Sequence, residues 1–143
     1  MSKIGILVLE DEIVMYMYIS QKLKEFGYEN IYIARNSKDA LEISSENKID
    51  LMFSDINIEG DIDGIDTAYT IQKLYKTPVI FITAYNDKEL LKRVSKIDTL
   101  GFLLKPFRAD ELETLINLAI EKFHLEAKNN DLIYKNYVFN KEN

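Results

Sequence analysis

Five short apolar runs recur along the chain, and helical spacing of apolar residues follows each one. The runs are Ile4-Gly5-Ile6-Leu7-Val8-Leu9, Ile31-Tyr32-Ile33-Ala34, Leu51-Met52-Phe53-Ser54, Val79-Ile80-Phe81-Ile82-Thr83 and Gly101-Phe102-Leu103-Leu104. They are continuously apolar rather than alternating, as in parallel strands covered on both faces. The first helix is expected at about 12–26, with Ile13, Met17, Leu23 and Phe26 on one face and Gly27 as its stop. Asn36 or Ser37 should cap a second helix carrying Ala40, Leu41 and Ile43. A loop with Glu59-Gly60-Asp61 and Asp63-Gly64 leads to a third helix ending near Leu74. Pro78 opens the fourth strand, a position where its missing N–H is tolerated. Asn86 with Glu89 resembles a capping box for a helix ending near Ile97. A last helix should run from about Asp110 into the 120s. Five strand-then-helix units predict an α/β fold, a doubly wound sandwich with a parallel sheet between two helical layers.

Polar groups stand at four of the strand ends: Glu10 and Asp11, Asp55, Thr83, and Lys105. In an open parallel sheet such residues meet in one crevice beyond the carboxyl ends of the strands. Each is ordinary alone: loop acids are usually solvated or cap a helix, lysines sit on surfaces, and β-branched residues favour strands. Their joint placement is what counts. Three carboxylates in one crevice repel and raise each other's pKa, and a bound Mg²⁺ removes that conflict. Mg²⁺ takes six oxygens, commonly one or two carboxylates plus waters. Asp11 and Asp55 suit direct ligands, Glu10 a water-mediated one, and the Asn57 carbonyl could complete the set. The compact Lys105 ammonium suits a phosphoryl oxygen. Thr83 supplies a hydroxyl, and the small Ala84 leaves room beside it.

At 143 residues the chain fits one domain with a proper core. Hydrophobic residues make up 47% and charged residues 29%, with no cysteine, which excludes disulfides and thiolate chemistry. No apolar run approaches the ~18 residues of a membrane span, and the start lacks a signal-peptide pattern, so a cytoplasmic location and no membrane partner are expected. A net charge of −6 disfavours nonspecific nucleic-acid binding. The single histidine, His124, reads as a solvated helix-end residue.

The ordered set closely resembles the receiver domain of bacterial two-component response regulators. It comprises Glu10-Asp11, Asp55 within Phe53-Ser54-Asp55-Ile56, Asp63-Gly64, Pro78-Val79-Ile80 through Thr83-Ala84, and Phe102 three residues before Lys105-Pro106-Phe107. The resemblance implies a flavodoxin-like strand order 2-1-3-4-5 and a cis Lys105–Pro106 bond. It also implies a phosphorylation switch rather than an enzyme. Asp55 would take a phosphoryl group from a sensor histidine kinase with Mg²⁺ bound. Thr83, Ala84 and Lys105 would hold that group, while Thr83 and Phe102 would act as the switch. The output surface would be the helix after strand four, the fifth strand and the last helix, including Lys88, Leu91, Lys92, Leu115 and Leu118. A homodimer through that surface is implied, although the last helix lacks the arginines used by winged-helix regulators. Arg108 stands where an acidic or serine cap is usual, the acid pair is Glu-Asp rather than Asp-Asp, and Tyr85 is a bulky neighbour of the site.

Residues 1–128 are expected to form the receiver. Residues 129–143 are expected to be a tail or linker, in which Leu132 to Asn140 resembles the first strand of a winged-helix effector. DNA contact is therefore expected only through an effector domain beyond this chain, with a stand-alone receiver as the alternative. An Asp-nucleophile phosphohydrolase fits less well, because Asn57 stands where such enzymes place a second aspartate. A nucleotide- or flavin-binding module would want glycines where Leu9-Glu10-Asp11-Glu12 stands.

Overall fold

A computed structural model of the chain describes residues 2–56, 63–84, 92–95, 97 and 99–123. Strands β1 (Ser2–Leu9), β2 (Tyr28–Ala34), β3 (Leu51–Asp55), β4 (Val79–Thr83) and β5 (Thr99–Leu104) form one sheet. All neighbours are parallel, in the order β2-β1-β3-β4-β5. Among the described residues the helices are α1 (Ile13–Glu25), α2 (Ser37–Glu46), α3 (Gly64–Tyr75) and α4 (Ala109–Phe123). Residues 92–94 form a helical turn between β4 and β5. The capping box expected at Asn86 and Glu89 lies outside the described residues, as do His124 and the segment 129–143.

The continuous apolar runs arise because successive side chains enter opposite layers. Ile4, Ile6 and Val8 of β1 join Phe53, Ile80, Ile82 and Leu103 under α1 and α4, which contribute Ile19, Leu23, Leu112, Ile116 and Ala119. Leu7 and Leu9 join Met52, Val79 and Phe81 under α2 and α3, which contribute Ala40, Ile65, Ala68 and Ile71. A strand with an apolar layer on each side leaves little room for polar side chains; Ser54 of β3 is buried and hydrogen-bonded to the Gly64 carbonyl.

The α1 face differs from the expected one. Ile19 and Leu23 are buried, while Ile13 and Met17 are 51% and 61% exposed. Residues 17 and 19 lie about 200° apart around a helix, so the two pairs belong to different stripes. Phe26 packs at the edge of the core, and Gly27 (φ 101°) ends the helix as expected. Asn36 caps α2, its side chain accepting the Asp39 amide at 2.8 Å. The start of α4 at Arg108 is secured without a capping side chain there. The Arg108 carbonyl accepts the amides of Glu111 and Leu112, and Glu111 Oε1 accepts the Arg108 N–H at 3.2 Å, half of a capping box.

At the site end of the sheet, α3 begins hard against β3. A Cβ on Gly64 would overlap the Asp55 carbonyl oxygen, and the Ser54 hydroxyl donates to the Gly64 carbonyl at 3.0 Å. Only a glycine allows that approach. Gly64→Ala is expected to cost about 1–3 kcal/mol, the range for overpacking a close contact. Urea unfolding checks this; an unchanged midpoint would show that α3 can retract from Asp55 freely.

Candidate functional site

The strand order brings the carboxyl ends of β1 and β3 side by side, with Leu9 in register with Ser54. Glu10 and Asp55 therefore face one crevice. Backbone bonds carry the ladder past the strand ends: Glu10 N–H to the Ala34 carbonyl, Ile56 N–H to Ile82, and Lys105 N–H to Thr83. Thr83 pairs with Leu104, which sets Lys105 beside the β4 end and across from Asp55. The Lys105–Pro106 bond is cis.

Lys105 Nζ lies 2.8 Å from Asp55 Oδ2 and 3.3 Å from Glu10 Oε1. The Glu10 side chain is fully buried and that of Asp55 only 6% exposed. One carboxylate oxygen each from Glu10, Asp11 and Asp55 fall within 4.8 Å of one another. Glu10 Oε2 is buried without a hydrogen-bond partner. Two buried acids thus share one ammonium, and Glu10 Oε2 accepts no hydrogen bond.

The electrostatics follow from that shortage. Burial, and then the adjacent Asp55 carboxylate, push the Glu10 carboxyl up to about 8; Lys105 pulls it the other way. Burial alone would lower the Lys105 pKa, but Asp55 and Glu10 together outweigh it and raise it. A divalent cation fits this donor set: hard oxygens, excess negative charge and an unsatisfied buried oxygen. Asp11 and Asp55 would hold it, with Glu10 behind them.

The remaining expected residues fall as follows. Thr83 is buried at the end of β4 and Ala84 is exposed. Phe102 is half-buried and stacks on Phe81, with ring centroids 6.1 Å apart. Asn57, Tyr85, Lys88 and Leu91 lie outside the described residues. Glu12 was not expected here. Its carboxylate lies 4.0 Å from Lys105 Nζ and is mostly exposed, a fourth acid on the rim; its place directly after the acid pair was the available signal. Arg93 was also missed. Its guanidinium reaches Asp63 and Asp66 at the start of α3, a pairing across thirty positions that no local pattern announces.

A profile of the response regulator receiver domain matches residues 6–117. The chain belongs to that family. It is 31% identical over 118 residues to the transcriptional regulatory protein PdtaR of Mycobacterium tuberculosis, covering 82% of this chain and 57% of that one. It is 34% identical over 134 residues to a putative response regulator, NtrX-like, of Rickettsia typhi, covering 92% of this chain and 28% of that one. The chain thus spans about half the length of one of these receiver-bearing relatives and about a quarter of the other. Among solved structures, the signal receiver domain of a modulated diguanylate cyclase from Desulfovibrio desulfuricans G20 superposes with a TM-score of 0.80. That pair is 31% identical, over 85% of this chain and 97% of the other. No helix among the described residues is long and apolar enough to cross a membrane.

The raised Glu10 carboxyl has a consequence for stability. A group that binds its proton more tightly in the folded receiver than in the unfolded chain stabilises folding at low pH, and that contribution is lost as pH rises through its folded pKa. Without divalent cations, the Glu10 contribution should fall between its ordinary value near 4.5 and about 8. Urea unfolding in chelator across that window should show a falling component in wild type that Glu10→Gln removes. Parallel pH profiles in the two proteins would contradict the shift.

Proposed function

We propose that this receiver is a phosphoacceptor switch in which Asp55 takes a phosphoryl group from a sensor histidine kinase. The observation that carries this reading is the shared ammonium: Lys105 bridges Asp55 and the buried Glu10, with Glu10 Oε2 unpartnered. Such a site is short of positive charge and holds its nucleophile at a strand end, open to the crevice. An Asp55 carboxylate oxygen would form a bond to phosphorus as the bond from phosphorus to the kinase imidazole nitrogen breaks. Mg²⁺ held by Asp11, Asp55 and the Asn57 carbonyl, with Glu10 through water, would supply positive charge to the carboxylates and the phosphoryl oxygens. Lys105 would turn from Asp55 to a phosphoryl oxygen, and the Thr83 hydroxyl and Ala84 amide would donate to others. Phe102, stacked on Phe81 beside β4, would carry the change to the surface around β5 and α4. The added charge biases a two-state element rather than catalysing turnover of a substrate. We place the protein in the cytoplasm, facing such a kinase.

Incubation with acetyl phosphate and Mg²⁺, followed by intact-mass measurement, tests the assignment. Wild type should gain one phosphoryl group and Asp55→Asn none; an adduct that survives in Asp55→Asn would sink it. Calorimetric Mg²⁺ titration should show weaker binding for Asp11→Ala than for Glu10→Gln. At a hundredfold excess over the dissociation constant, Mg²⁺ should stabilise wild type by about 2.7 kcal/mol.

We propose a receiver joined to a DNA-binding effector, with partner contact by the receiver alone as the second reading; similarity to a protein named as a transcriptional regulator supports a regulatory output without fixing what the effector binds. We place the receiver boundary near residue 128. Truncation after Lys128 should leave a folded, phosphorylatable protein, with a midpoint shift of a few degrees at most, as for a loss under about 1 kcal/mol. A truncated chain that no longer folds would place the tail in the core.

A further inference from the structure

Arg93 sits in the helical turn at residues 92–94 and makes the longest-range ion pairs outside the acidic crevice among the described residues. Its Nη2 lies 2.8 Å from Asp63 Oδ2, 3.0 Å from Asp63 Oδ1 and 3.1 Å from Asp66 Oδ1. Asp63 already caps α3, accepting the Asp66 amide at 3.0 Å through the same Oδ1. Both acids lie at a helix N-terminus, where negative charge is favoured without any cation. The helix start is therefore complete without Arg93, and the contact serves the turn that Arg93 belongs to.

That turn is held in two ways. Val94 and Ile97 are buried in the layer that contains Phe81, and Phe102 packs against the same layer. The guanidinium ties the turn to α3, whose first residue abuts the Asp55 backbone. The turn thus belongs to the layer that holds the Phe81–Phe102 pair and is tied to the helix that begins beside Asp55.

We propose that Arg93 is a positioning residue, an ionic latch that holds the turn at residues 92–94 on the Asp63–Asp66 start of α3 and opposes switching. This rests on the phosphoacceptor reading above. In the unphosphorylated receiver the latch is closed, and it opens when the turn moves with Thr83 and Phe102. Its strength is that of a partly exposed guanidinium between two carboxylates, so its loss should change the switching equilibrium by about two- to fivefold.

Beryllofluoride with Mg²⁺, an acyl-phosphate mimic, reads that equilibrium, because apparent affinity scales with the fraction of switched state. Arg93→Gln should bind it about two- to fivefold more tightly than wild type. Arg93→Lys should fall between, since one nitrogen, Nη2, makes all three contacts and an ammonium keeps that charge but on a shorter stem that places it differently. In an Asp63→Asn, Asp66→Asn background, which keeps the cap because asparagine caps as well as aspartate, Arg93→Gln should add nothing. Equal or weaker binding by Arg93→Gln would overturn the opposing role. Independently, amide exchange across residues 92–94 should quicken in unliganded Arg93→Gln, and unchanged exchange would remove the latch itself. Absence of beryllofluoride binding in wild type would instead defeat the phosphoacceptor reading, leaving the exchange measurement to judge the latch.

Discussion

The site depends on one unequal arrangement: a single ammonium between two carboxylates that the fold has taken out of water. Lys105 reaches Asp55 and Glu10 from the end of β5, and its charge cannot fully offset both acids. Burying an ionised carboxylate costs several kcal/mol unless it is paired and its remaining lone pairs are satisfied. Glu10 meets the first condition in part and fails the second. Three agents can relieve the same excess charge: a proton on Glu10, a divalent cation, or a closer approach by Lys105. Because they act on one charge, each weakens the demand for the others. In such a site, protonation of Glu10 and entry of a cation would each reduce the drive for the other.

The arrangement exists because the sheet reverses its order between β1 and β3, which places the ends of two inner strands in contact. Inner strands have apolar side chains on both faces, so a charge at their ends has little solvent to draw on. Gly64 tightens the arrangement further by letting α3 close on the Asp55 backbone. The core and the site are therefore one construction: the packing that stabilises β1, β3 and β4 also creates the low-dielectric setting that shifts Glu10.

Inner strands were plain in the sequence because two covered faces demand unbroken apolar residues. Edge strands were less so. β2 begins at Tyr28 rather than Ile31, since Glu29 and Asn30 are exposed and need no apolar side chain. β5 begins at Thr99 rather than Gly101, across a register irregularity opposite Val79 and Ile80. The α1 stripe was misread because apolar residues surround much of that helix, and Ile13, Val14 and Met17 turn outward. In the site, Glu10, Asp11 and Asp55 were legible from their strand ends. That Glu10 would be fully buried and share Lys105 was not, because burial depends on which strands become neighbours.

Arg93 illustrates the same limit from the other side. Nothing near it in the chain marks it, yet it joins the start of α3 to the turn before β5. Apolar contacts of Val94 and Ile97 fix that turn by shape, which resists small displacements in every direction. An ion pair acts differently: it is directional, partly hydrated and weak enough to exchange partners. The buried residues set where the turn rests, and the guanidinium adjusts how firmly it rests there.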